Sequence, residues 1–190
     1  MASGRRPPAD VYQIKITLTG SQPAMWRRFE VPGNTSLAEL HGILQVVMGW
    51  SNAHLHRFIV KGQTYATPER GDIGPRKPKD ERKFTLRDLL TQEGSRPTYE
   101  YDFGDNWQHE LLVERIHPAE EGTRYPVCLE GAGACPPEDV GGVSGYTQFL
   151  EAMVDTNHPE HQNCRDWIGG YFDPEKFDLA KVNQILRNIP

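Results

Sequence analysis

The sequence predicts an α+β fold: a mixed or antiparallel sheet built from two β-hairpins plus a central strand, packed against an N-terminal helix, with two C-terminal helices and long Pro/Gly-rich loops. Three observations predict it. Apolar residues alternate at period two in "VYQIKITL" and "WQHELLV". They recur at helical spacing after Ser36 and after Asp178. Eighteen Gly and 15 Pro among 190 residues place a large share of the chain in loops.

The first strand carries Tyr12, Ile14, Ile16 and Leu18 on one face and Gln13, Lys15 and Thr17 on the other, and "MWRRFEV" returns antiparallel to it after a turn at 20–24. Ser36 and Glu39 form a capping-box pair, and Leu37, Leu40, Leu44, Val47 and Met48 make the apolar stripe of a helix that Gly49 ends. "HLHRFIV" is the central strand, with His54, His56, Phe58 and Val60 on one face. Residues 66–83 are charged, rich in Pro and Gly, and read as a mobile loop. Thr85 and Asp88 cap a short helix. The second hairpin spans 98–103 and 107–116, and a two-residue turn at Asp105-Asn106 would set Asp102 opposite His109. Little periodicity remains from His117 to Gly145. Two helices follow, one with Tyr146, Phe149, Leu150 and Met153 inward, the other capped by Asp178 with Leu179, Val182, Ile185, Leu186 and Ile189 inward. Residues 1–10 are expected to be a flexible N-terminus and 11–190 one domain, a size that suits a single well-formed core.

The formal charge of −5 argues against sequence-independent wrapping of nucleic acid, which draws its affinity from Lys and Arg displacing counterions. Arg27-Arg28 and "RKPKDERK" read as solvated faces. No run approaches the roughly 20 apolar residues of a membrane span, and "MASGRRPPAD" has no apolar core of a secretion signal. Three cysteines make no disulfide framework. A cytoplasmic protein with no membrane partner is expected.

Three constellations could carry chemistry. His54, His56, Asp102, Asp105 and His109 are ligand types that divalent ions take, and would form a metal site if the two hairpins adjoin. In the competing reading these histidines pack at the core edge and the aspartates form turns. An alternative zinc set is Cys128, Cys135, His158, His161 and Cys164, although six residues between the first two cysteines do not match a tight knuckle. Glu138 and Asp139, on the Pro136-Pro137 turn before Gly141-Gly142, could act as an acid/base pair or cap the next element.

"GWSNAHLHRF", "YEYDFGDNWQHELLVE", "YPVCLEGAGACPPEDVGGVSGY" and "WIGGYFDPEKFDLAKVN", in this order, resemble the plasmid pRiA4b ORF-3-like proteins, found on plasmids, in mobile elements and in chromosomes. The resemblance implies an α+β fold and recurring polar positions at His54, His56, Asp102, Gly104, Asp105, His109, Cys128, Cys135, Glu138, Asp139, Gly141 and Gly142. Family members often carry a further Cys where this chain has Val140, which weakens a sulfur-rich site here. The family is essentially uncharacterised; some members are labelled resolvase-like, but no serine-recombinase or basic-arm pattern occurs in this chain. Two functions follow as expectations. One is a binding or adaptor domain that presents a surface to a protein or nucleic-acid partner. The other is a hydrolase of phosphoesters or nucleic acid that depends on a divalent metal ion.

Overall fold

The computed structural model of the chain describes residues 10–68, 74 and 77–189. Fourteen short elements follow one another. Strands β1 (Val11–Leu18) and β2 (Trp26–Pro32) lead into helix α1 (Leu37–Met48), then β3 (His56–Val60), β4 (Gln63–Ala66) and β5 (Lys79–Asp80). A 3-10 turn (Glu81–Lys83) and helix α2 (Leu86–Leu89) precede β6 (Thr98–Tyr101), β7 (Trp107–His117) and β8 (Val127–Ala132). Helices α3 (Gly142–Val154), α4 (His161–Ile168) and α5 (Leu179–Leu186) complete the described chain. The strands form one open sheet in the order β5-β4-β3-β6-β7-β1-β2-β8. Only the β4–β5 pair is parallel.

The expected alternation is what builds the core. Tyr12, Ile14, Ile16 and Leu18 of β1 are buried, as are Phe29 and Val31 of β2 and Trp107, Leu111 and Val113 of β7. The α1 stripe Leu37, Leu40, Leu44, Val47 and Met48 joins the same cluster. Ser36 Oγ accepts from Glu39 N while the Glu39 carboxylate accepts from Ser36 N, and Gly49 ends the helix at φ 103°. Burying some thirty apolar side chains in one cluster is the dominant favourable term for such a domain.

Arg27 also points into this core, 2 % exposed, and among the described residues it pairs with no carboxylate. Its guanidinium donates instead to the carbonyls of Val47, Trp26, Ala132 and Gly133 at 2.6–2.8 Å, tying α1 to the β2–β8 end of the sheet. Burial lowers its pKa to about 10, still far above neutrality. At the sheet margin, the Asn183 amide of α5 accepts from Cys128 N and donates to Cys128 O, both at 2.8 Å.

Several local expectations are corrected: Arg27, read as a solvated face, is buried, Leu179 and Ile185, expected inward, are exposed, and four more concern the elements themselves. The second hairpin closes with five residues, Asp102–Asn106, so that Tyr99 pairs with His109 and Asp102 lies in the turn. Asp102 and Asn106 adopt left-handed φ of 55°, and Asp102 Oδ1 accepts from Gly104 N and Asp105 N, so the turn is built by the aspartate itself. Residues 127–132, within the stretch of little periodicity, form edge strand β8. A third C-terminal helix, α4, lies between the two expected ones; it has no buried residue and hence no apolar stripe to announce it. Finally, residues 79–83 of the expected mobile loop are structured, and Glu81 is 1 % exposed. Residues 69–73, 75 and 76 of that loop and 1–9 of the expected flexible N-terminus lie outside the described residues. No described helix is long and apolar enough to cross a membrane.

Candidate functional site

β3 pairs with β6, His56 opposite Tyr101, so the two hairpins adjoin. Asp102, one residue beyond β6, is thereby carried beside the turn that enters β3, and its backbone N donates to Leu55 O at 2.9 Å. A third segment closes on them from a distance in sequence. Asp105 Oδ2 accepts from Gly141 N at 3.0 Å, and Gly142 packs so closely on Asp105 that any Cβ there would collide with the Asp105 carbonyl. Glu138 Oε1 accepts from Ser51 N and Ser51 Oγ at 2.8 Å and from Tyr101 OH at 3.1 Å. These bonds fix the Pro-Pro turn over the hairpins and place Asp139 against His54.

His54 Nε2 is the hub of the result. Asp139 Oδ1 lies 3.2 Å away, Asp102 Oδ2 3.6 Å and Glu138 Oε2 3.7 Å. No hydrogen bond reaches this buried nitrogen, because none of the three carboxylates meets it with bonding geometry. One donor atom each from His54, Asp102 and Asp139 lies within 4.8 Å of the others, the one such group of three or more His, Cys, Asp or Glu among the described residues. Asp102 is buried and Asp139 is exposed, so the cluster opens to solvent on one side. Asp139 holds a left-handed φ of 59°. Strained non-glycine backbone of this kind collects at functional sites.

The other expected ligands go elsewhere. His56 donates from Nε2 to Glu81 at 2.9 Å and stacks on His41, with ring centroids 3.4 Å apart and planes within 2°. Burial pushes the Glu81 carboxyl up, but the hydrogen bonds from His56 and Thr67 outweigh it and hold the pKa below the ordinary value. Asp105 serves the Gly141 contact. His109 is fully buried on the core face of β7, and its Nδ1 donates to Tyr99 O at 3.3 Å; burial lowers its pKa to about 4. The five residues of the alternative zinc set do not form a cluster. Cys128 is buried in β8, Cys135 packs beside Gly49, His161 donates to Ala152 O, and His158 accepts from Glu160 N.

Behind His54 lies a polar ring that no motif announced. His41 Nε2 donates to Asn52 Oδ1 at 2.8 Å, Asn52 N to Gln45 Oε1, Gln45 Nε2 to Tyr99 OH, and Tyr99 OH back to His41 Nδ1 at 2.9 Å. Burial, helped by the neighbouring His56, lowers the His41 pKa to about 4, so its neutral form completes the ring. Every member is satisfied, and Asn52 is held at φ 57° in the turn that delivers His54. The signal available in sequence was two polar residues, His41 and Gln45, beside the apolar stripe of α1. Glu81 had none, since it sits in a charged run. A cleft of about 500 Å³ opens in front of this ring, lined by His41, Asn52, His54, Arg57, Glu81 and Phe103 among others.

A model of the plasmid pRiA4b ORF-3-like proteins matches residues 10–181. The chain belongs to this family. Among similar members, an uncharacterised protein, y4hQ, of Sinorhizobium fredii is 37 % identical over 185 residues, covering 95 % of this chain and 93 % of its own. The crystal structure of a protein of unknown function from Methanosarcina mazei, MM3350, has a TM-score of 0.79 and 37 % identity, covering 90 % of this chain and 96 % of that one. The fold is thus shared with the Methanosarcina mazei protein, and neither name carries an activity.

Proposed function

We propose that this family member is a ligand-binding domain centred on a divalent cation held by His54, Asp102 and Asp139. The observation that carries the reading is the convergence of their three donor atoms within 4.8 Å, from three separate segments, around an imidazole nitrogen that lacks a hydrogen bond. One nitrogen and two carboxylates suit a borderline or hard ion such as Zn²⁺ or Mn²⁺. Three protein ligands leave coordination positions for water or a ligand, unlike the closed four-ligand shell of a structural zinc site. Glu138, fastened by Ser51 and Tyr101, acts from outside this set by holding the turn that presents Asp139. Burial raises the Tyr101 pKa to about 12, which keeps its hydroxyl a donor to Glu138.

Titration calorimetry with Mn²⁺ and Zn²⁺ on protein purified without an affinity tag tests this. We expect about one ion per chain, with affinity reduced at least about tenfold in Asp139→Asn and His54→Ala, as loss of a ligand requires. Asp139 is 74 % exposed, so its substitution leaves the fold intact. Absence of binding by the wild-type chain refutes the reading.

The open side of the cluster also favours a second reading, hydrolysis of a phosphoester by metal-bound water. Its test is Mn²⁺-dependent release of nitrophenol from bis(p-nitrophenyl) phosphate, lost in Asp139→Asn. A chain that binds the ion but releases no nitrophenol remains a binding domain.

A further inference from the structure

The candidate cation centre stands between two depressions. The cleft described above has His54 in its wall. A second depression, of about 400 Å³, runs between α3 and α4 and has Asp139 in its wall. They touch through the 3.2 Å approach of His54 Nε2 to Asp139 Oδ1, so each depression presents one of the proposed cation ligands. Their chemistry differs. Apolar side chains line both, but in the cleft the polar groups are mostly paired, His41 in the polar ring, Glu81 with His56 and Thr67, and Arg57 with Glu100, and the aromatic face of Phe103 is already taken by the Arg57 guanidinium, 5.1 Å from its ring. The α3–α4 groove is lined by Phe149, Ala152, Cys164 and Trp167 among others.

Resting on the cation reading, we infer that the ligand of this centre has an oxyanion head bound at the ion and a flat apolar body lying in the α3–α4 groove. Phe149 and Ala152 form a buried floor, while Trp167 stands edge-on to Phe149 at 5.7 Å and leaves 52 % of its surface uncovered. A planar ring laid against that indole covers it, as apolar pockets with a few placed polar groups commonly do for small ligands. Charge selects the end at which the head sits. The carboxylates along the groove are Asp139 and Glu160, which repel an anion. Only at the Asp139 end do further donors, His54 and Asp102, gather around an ion that reverses that repulsion. Anion binding is therefore conditional on the metal.

The test compares phenyl phosphate with inorganic phosphate by calorimetry on the full chain, with and without Mn²⁺. With Mn²⁺, phenyl phosphate should bind about tenfold or more tightly than inorganic phosphate, the scale expected when one aromatic ring is buried. Trp167→Ala should abolish that preference while Mn²⁺ and inorganic phosphate bind as in the wild type, and Trp167→Phe should restore most of it. Phenylacetate, run alongside, separates a carboxylate from a phosphate head. Equal affinity for the two phosphates, or a preference that survives Trp167→Ala, overturns the inference while the Mn²⁺ titration leaves the cation reading standing. Tight phenyl phosphate binding without Mn²⁺ overturns the placement of the head. A chain that binds no Mn²⁺ refutes both.

Discussion

Replacing His109 with asparagine should flatten the acid sensitivity of this protein. The imidazole sits on the core face of β7, fully buried, with its pKa lowered to about 4 by burial. The unfolded chain, with an ordinary histidine pKa near 6.5, takes up the proton first, so stability is whole above about pH 6.5 and falls as the pH drops toward 4. At about 1.4 kcal/mol per pH unit, the loss from this residue reaches about 2 kcal/mol at pH 5 and about 3 kcal/mol below pH 4. His41, with a pKa also near 4, loses a similar amount over the same window. Asparagine keeps an N–H near the position of Nδ1 to donate to Tyr99 O but cannot take up a proton. Urea unfolding at pH 7.5 and pH 5.0 measures the effect. The wild type should lose about 2 kcal/mol more between the two conditions than His109→Asn, even though the variant starts lower at pH 7.5 because of the volume it deletes. Parallel losses in the two proteins would show that His109 does not titrate as a buried neutral group and would refute the reasoning.

Two further substitutions probe how the site is held. Arg27→Lys removes the planar fork that serves four carbonyls; a single ammonium with three donors cannot reach them all, and urea unfolding should report a loss of about 3 kcal/mol, with a loss under 1 kcal/mol speaking against the clamp. Gly142→Ala drives a methyl group into the Asp105 carbonyl at a backbone φ of 67°, so it should cost about 2 kcal/mol in the same assay and weaken Mn²⁺ binding by shifting Asp139, whereas unchanged Mn²⁺ affinity would uncouple the two loops.

Much of the fold was legible because period and capping are local properties. Tyr12 to Leu18, the Ser36 box and Asp178 each announce an element within a few residues, and each element formed. β8 and α4 were not legible for a shared reason: β8 fully buries only Cys128 and α4 only half-buries Cys164 and Ile168, so neither carries a repeated apolar face for the period to show. The candidate site was half legible. Histidine and carboxylate types marked segments that do converge, but the register of the second hairpin depended on Asp102 forming its own turn, which moved it from His109 to His54. Glu138 and Asp139 reach His54 through contacts that are all long-range in sequence, Gly141 with Asp105 and Glu138 with Ser51 and Tyr101, which no local pattern announces. His56 divided as its strand neighbours suggested: on the face of Phe58 and Val60, it packs and pairs with Glu81 rather than joining His54.

The amide of Asn183 against Cys128 bears on how this protein can meet others. An edge strand normally offers its free N–H and C=O groups to any extended segment that passes, which is how many domains capture peptides and how damaged ones aggregate. Asn183 satisfies both groups of Cys128, and α5 lies across the strand that carries them. Strand addition at the Cys128 end of β8 would require Asn183 to be displaced, so the edge of the sheet is closed to extension there.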